Sequence, residues 1–274
     1  MCQNGVRGFS FVALMLLFVM QSAMAMDSSA KSKVTIPYKD GANIWVKSSA
    51  DHPVTFLELY SSQGCYSCPP AERWINTFVD DNRLWDTLIP VNFHVDYWDY
   101  IGWKDPFSFA EFSSRQRLYR QKGHTSNVAT PGFVVNGQGW NGWFRQRSLP
   151  VAARAFEGEL QASFSKEGER FPIDIAFDSD ASLSRVNVHA AVLGFGVATP
   201  IPSGENAGKT LEHDFVVVGY RRGPMDSNAG SAWRKSLVWP EIVEQPMERQ
   251  ALVVWVTAMN DPKPIQVLGG WLPD

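Results

Sequence analysis

The chain has 274 residues, 45% hydrophobic and 19% charged, with a formal net charge of -3. These proportions exclude a disordered polymer and a fibre, and the absence of a basic block argues against a nucleic-acid-binding surface. Three cysteines are too few for a small disulfide-stapled scaffold, and a chain this long can bury a core without staples.

Arg7 is the only charged side chain among residues 1–26, and Phe11 to Met20 is an unbroken apolar run. Gln21, Ser22 and then Ala23-Met24-Ala25 follow. A basic start, a short apolar core and small residues at alternate positions read as a secretory signal cut after Ala25, with a retained short anchor as the alternative. The run falls well short of the roughly 20 residues that cross a bilayer. The expectation is a signal peptide over 1–25, an extension over 26–50 and export to the periplasm or beyond. No stable membrane span would remain after cleavage. Cys2 leaves with the signal, so the mature chain carries only Cys65 and Cys68.

Beyond the signal, Val34-Thr35-Ile36 and Asn43 to Lys47 have the character of short edge strands. Val54 to Tyr60 reads as a buried strand, rich in strand formers and free of glycine and proline. Ser61-Ser62-Gln63-Gly64 is a turn. Ala71 to Val79 places Trp74, Ile75, Phe78 and Val79 on one helical face. Leu88 to Val95 is a second strand, so the simplest connection is a right-handed parallel crossover. Ser108 and Glu111 have capping-box spacing for a helix ending near Gln121. Phe133-Val134-Val135, Asn136-Gly137 and Gln138 onward read as a hairpin. Pro150 to Phe164 reads as a further helix. After about Glu169 the pattern changes to alternating strands separated by turn residues. Phe171 to Phe177, Arg185 to Phe195, Leu211 to Tyr220, Ser236 to Trp239 and Ala251 to Met259 are the candidates. They suggest a small antiparallel sandwich over 169–274, following an α/β domain over 51–168. Gly204 to Gly208 lacks a Walker frame and is not followed by a helix, so it reads as a loop.

Cys65-Tyr66-Ser67-Cys68 lies between a strand and a helix. At a helix start, free N–H groups and the dipole favour a thiolate, so Cys65 reads as an exposed nucleophile and Cys68 as a deeper resolving thiol. Pro69 and Pro70 offer no N–H and imply an irregular first turn. A soft-metal site for copper(I) and an inert local disulfide are the competing readings. Glu58, on the preceding strand among apolar neighbours, is a candidate buried proton carrier for Cys68; an acid paired with an arginine is the alternative. His94 and Asp96 end the second strand and are candidates for tuning the thiol, with His94 as a metal ligand or a hydrogen-bonded pair that stitches a loop as the alternatives. Thr130 and Pro131 offer a backbone beside which a substrate peptide can pair, if the bond is cis. Tyr97, Trp98 and Trp103 belong to an aromatic stretch, read either as a roof on the core or as a substrate-binding wall. The five histidines lack ligand spacing with one another, and no metal or cofactor is expected.

The run Glu58-Leu59-Tyr60-Ser61-Ser62-Gln63-Gly64-Cys65-Tyr66-Ser67-Cys68-Pro69-Pro70-Ala71 resembles a family of secreted bacterial proteins of uncharacterised function with a thioredoxin-like domain. So does the run from His94 to Phe107. Thr130-Pro131 followed by Phe133-Val134-Val135-Asn136-Gly137 resembles thioredoxin itself. The resemblance implies Cys65 as attacking thiol, Cys68 as resolving thiol, Glu58 as buried acid and Pro131 as a cis proline. It implies a thioredoxin-like domain with an inserted aromatic-rich helical segment, ahead of the β-sandwich-like domain. Unlike thioredoxin, the chain has no tryptophan before Cys65 and has two prolines after Cys68. The expected function is an exported thiol–disulfide oxidoreductase acting on protein or peptide thiols, or with a redox partner. A binding module for copper(I) or a partner protein, without redox turnover, is the alternative.

Overall fold

The computed structural model describes residues 44–165, 172–228 and 231–273. The expected signal peptide, most of the extension after it and the Val34-Thr35-Ile36 strand lie outside these residues. In chain order the first elements are β1 (Ile44–Ser48), β2 (Thr55–Ser61), α1 (Pro69–Asn76), β3 (Leu88–His94) and α2 (Ala110–Gln121). Then come β4 (Gly132–Val135), β5 (Gln138–Gly139), β6 (Glu159–Ser165), β7 (Pro172–Asp178) and β8 (Val186–Phe195). The last are β9 (Val197–Pro200), β10 (Thr210–His213), β11 (Val216–Pro224), β12 (Asp226–Asn228), β13 (Ala232–Val238), β14 (Arg249–Ala258) and β15 (Pro264–Trp271). Among the described residues, no helix is long and apolar enough to cross a membrane.

An eight-stranded mixed sheet runs β15-β14-β8-β11-β3-β2-β4-β5. β2 and β3 are parallel, with Ser61 beside His94, and β4 runs antiparallel to β2, with Gly132 beside Tyr60. Every residue of β2 and β3 is buried, as expected of parallel strands covered on both faces. One core joins Val188, Ala190 and Val192 of β8 to Leu160, Ile175 and Trp233 of a five-stranded antiparallel sheet, β1-β6-β7-β13-β12. On another face, Phe112 of α2 packs on Phe93 and Tyr220, and Phe93 on Trp255. The third sheet is the two-stranded ribbon β9–β10.

This architecture corrects the expected fold class. Strand occupies 42% and helix 15%, so the protein is mostly β and is not a thioredoxin-like α/β fold with an inserted helical segment followed by a sandwich. Of the strands expected to form a separate sandwich, β8, β11 and β14 instead continue the sheet that carries the cysteine turn, while β7 and β13 lie in the five-stranded sheet. Val216 of β11 pairs with Asn92 of β3, and Asn92 N–H donates to the Phe215 carbonyl. Alternation marks a strand but does not name its hydrogen-bonding partner. The helix expected over 150–164 is also absent. Leu160, Ala162 and Phe164 are buried at every second position, the period of a strand. The Ser108–Glu111 capping box does not form, because Phe109 caps α2 and the Ser108 hydroxyl donates to Asp99 and to the Asp105 carbonyl. The Asn136-Gly137 turn does form, with φ of 48° and 78°, the left-handed pair that a two-residue hairpin requires.

Candidate functional site

β2 ends in a tight turn that leads into α1. Cys65 N–H donates to the Ser62 carbonyl and Cys68 N–H to the Cys65 carbonyl. The two cysteines form a disulfide. Cys68 is the N-cap of α1, with Pro69 and Pro70 in its first two helical positions, where a missing N–H costs nothing. Ala71 and Glu72 both donate to the Cys68 carbonyl. The first four helical residues therefore leave no free N–H at the start of α1. Cys65 is not exposed as expected: it retains 2% of its surface and Cys68 none.

Beneath this turn lies a buried polar network assembled from five segments. Glu72 of α1 accepts short hydrogen bonds from the Ser61 hydroxyl and from His213 Nδ1, and His94 Nε2 lies 3.3 Å from its carboxylate. His94 Nδ1 donates to Asp105 at 2.7 Å. The same Asp105 oxygen accepts the Gln63 N–H at 2.7 Å, and its other oxygen accepts the Phe107 N–H at 2.9 Å. Burial opposes a charge on His94, but Asp105 and Glu72 outweigh it and push its pKa up to about 10. Burial works to raise the Glu72 pKa, yet His213 and His94 hold it far below the ordinary carboxylate range. His94 is thus an imidazolium held between two carboxylates. Asn92 meets it through Nδ2 at 3.3 Å while its own Oδ1 has no partner. Turning that amide over gives the imidazolium a further acceptor.

Glu72, His94 and His213 present ligand atoms within 4.8 Å of one another, the donor set of a transition-metal centre. The surrounding hydrogen bonds argue for protons instead. Trp103 Nε1, which can only donate, sits 2.9 Å from Gln63 Oε1. That contact aims the Gln63 NH2 at His213 Nε2, 2.9 Å away. Nε2 is therefore the acceptor and Nδ1 carries the hydrogen given to Glu72. A metal on Nδ1 would move that hydrogen to Nε2 and set two donors face to face.

Other residues singled out in the sequence fall elsewhere. Glu58 lies on the opposite face of β2 from Ser61, against α2. Its carboxylate accepts both Arg115 Nε (2.8 Å) and Nη2 (2.9 Å), the Tyr60 hydroxyl (2.8 Å) and the Tyr119 hydroxyl (2.5 Å). This is the arginine-paired alternative, on the face of β2 away from the cysteine turn. Asp96 parts from His94 because β3 ends at His94 and the chain enters a 3-10 turn. It accepts a short hydrogen bond from Ser113 of α2. Tyr97 donates to Gln116 at 2.9 Å. Trp98 packs on Gly64, where a β-carbon would approach its Cβ to 3.1 Å, and donates to the Thr130 hydroxyl at 2.7 Å. These aromatic residues stitch the turn to its neighbours. The Thr130–Pro131 bond is cis. Pro131 immediately precedes β4, at the end of the sheet where β2 enters the cysteine turn. A cleft of about 690 Å³ opens there, lined by Thr130, Pro131, Phe133, Trp140, Phe144 and Arg145 among others. Neither cysteine, nor Tyr97, Trp98 or Trp103, lines it.

Sequence reasoning missed Glu72, Gln63, Asp105 and Asn206 and left His213 without a partner. The one local signal was Glu72, four residues after Cys68 and so on the same helical face. His213 lies 141 residues from Glu72, a meeting that no spacing announces.

Fold and site together define a mostly β protein with a buried disulfide above a charged histidine network. The chain belongs to the DUF1223 family, described as a protein of unknown function, whose match spans residues 56–257. It is similar to the X-ray crystal structure of protein AGR_C_4864 from Agrobacterium tumefaciens, with 21% identity and a TM-score of 0.50. That match covers 81% of this chain and 96% of the other, and at this identity it shows a shared fold alone. None of the curated proteins matches this chain.

Proposed function

We propose that the protein is an exported thiol–disulfide oxidoreductase working through Cys65 and Cys68. The observation that carries this reading is the disulfide between them at the end of a parallel strand, where sites gather in open sheets. A closed ring this small adds little stability by loop entropy, so reactivity accounts better for it than stapling does. The cleft at Thr130 and Pro131 supplies room for a peptide at the same end of the sheet.

The closed pair is the product of the reducing direction. In that direction Cys65 attacks a target disulfide, and the displaced target sulfur leaves and takes a proton. Cys68 then attacks Cys65 in the mixed disulfide, releasing the second target thiol and closing the Cys65–Cys68 bond. Two electrons and two protons pass from protein to target.

Mass spectrometry of the reduced variants with a peptide disulfide tests this. Cys68→Ser should accumulate a mixed disulfide through Cys65, and Cys65→Ser should accumulate none. A mixed disulfide in neither variant would end the reading.

A further inference from the structure

The Gly204–Gly208 loop, without a role in its sequence pattern, is the tip of the β9–β10 ribbon and sits on the cysteine turn. The ribbon is hydrogen-bonded into neither larger sheet. Its hold on the turn is polar. Asn206, fully buried, donates from Nδ2 to the Gln63 carbonyl at 2.8 Å and to the Cys65 carbonyl at 3.1 Å. Glu205 accepts the Tyr66 N–H. Lys209 donates to Asn206 Oδ1 at 2.8 Å and lies 4.5 Å from the Tyr66 ring centroid. Ser203 donates to the Gly102 carbonyl at 2.5 Å.

The base of the ribbon is held differently. Val197, Thr199 and Leu211 are buried, and His213 enters the network under α1. Asn76 of α1 donates to the Glu212 carbonyl and accepts the Asp214 N–H, both at 3.1 Å. Within the tip, Gly204 and Gly208 have φ of 79° and 80°, a region that glycine enters without strain. Nothing lies within 4 Å of where a β-carbon on Gly208 would sit. The base combines buried side chains with bonds to α1, whereas the tip is held mainly by polar contacts, so the element opens at its tip, where water replaces those contacts at small net cost.

We infer that the tip, Ser203 to Lys209, is a lid over the Cys65–Cys68 disulfide, and that a protein-sized thiol reaches the pair only when the lid lifts. This rests on the oxidoreductase reading and adds its regulation. Exchange requires a thiolate to approach a sulfur directly, and with the lid down Cys65 keeps 2% of its surface. A dithiol reductant forms a mixed disulfide with Cys65 and displaces Cys68. Its second thiol then closes its own disulfide, so two electrons enter the pair and two protons complete the thiols.

The test compares reduction of the full oxidised chain by a small protein dithiol and by a water-soluble phosphine, which consumes water and leaves as its oxide. Asn206→Ala removes two hydrogen bonds of the latch, so reduction by the protein dithiol should accelerate roughly 5- to 30-fold. The phosphine rate should rise less. Equal protein-dithiol rates in wild type and a folded Asn206→Ala variant would overturn the lid. Hydrogen exchange in the wild type supplies a second readout if that variant does not fold. The Tyr66 amide, bonded only to the lid, should exchange faster than the β2 amides, and equally slow exchange would overturn the lid as well. The reduced variant is then offered a peptide disulfide. Fast reduction without onward transfer removes the oxidoreductase reading and leaves the lid; transfer with no acceleration does the reverse.

Discussion

Two buried charged clusters flank β2, and they are built for different ends. Under α2, Glu58 and Arg115 form a closed pair with Tyr60 and Tyr119. Burial, reinforced by Glu58, pushes both tyrosines far above their usual range, and Glu58 raises Arg115 against its burial. The two tyrosines and Arg115 thereby keep the protons they carry at neutral pH. Under α1, Glu72 joins two histidines, stands one turn from Cys68 and anchors the ribbon that covers the disulfide. The same solution to burying a carboxylate is closed on itself on one face and tied to the cysteine-bearing turn and the ribbon on the other.

The sharpest way to separate the clusters is to break the closed one. Arg115→Met leaves Glu58 buried without its cation, and Glu58→Gln leaves Arg115 without its anion, each expected to cost about 3–5 kcal/mol. Denaturant unfolding measures the loss, while disulfide exchange by the folded fraction should be unchanged. A change in exchange rate without a loss of stability would assign Glu58 to the chemistry after all.

A smaller effect is expected from Glu72→Gln, about 1–3 kcal/mol at neutral pH, with a pH signature that the other cluster lacks. The His94 pKa is raised from 6.5 to about 10. Its contribution is therefore whole below pH 6.5 and is lost as pH rises through about 10. Glu72 is depressed, so its contribution is present above the ordinary carboxylate pKa and disappears as pH falls below it. Unfolding midpoints of the wild type should decline between pH 7 and pH 10, and those of Glu72→Gln should decline less. Parallel curves would contradict the charge assignment of His94.

The smallest effect on stability belongs to the disulfide. Replacing both cysteines by serine removes a ring of four residues, worth no more than about 2 kcal/mol of loop entropy. Calorimetry that found a larger loss would favour a staple over a reactive pair.

The contrast between the clusters also shows where sequence is informative. β2, β3, the Asn136-Gly137 turn and the cysteine turn were legible because their signals are local: an apolar run, a left-handed dipeptide, a strand-to-helix junction. The face that Glu58 occupies was not. One residue of alternation decides whether an acid meets α1 or α2, and the pattern Phe56-Leu57-Glu58-Leu59-Tyr60 is apolar on both sides. The fold class failed for a related reason. β8 and β14 read as strands and are strands, but the single strand expected over Leu211 to Tyr220 divides at Phe215 into β10 of the ribbon and β11 of the large sheet, and the join of β11 to β3 rests on one residue pair, Val216 with Asn92. The ribbon's tip over the disulfide left a trace only as glycines without a motif, since its contacts with Cys65 cross about 140 residues.

The central claim is that the buried pair is reactive, and closure of the disulfide in the reduced wild-type protein tests it most directly. Mixed with excess peptide disulfide, the reduced protein should regain its Cys65–Cys68 bond with one peptide disulfide reduced per chain, whereas Cys68→Ser can only stop at the mixed disulfide. No closure, or closure without reduction of the peptide, would contradict it.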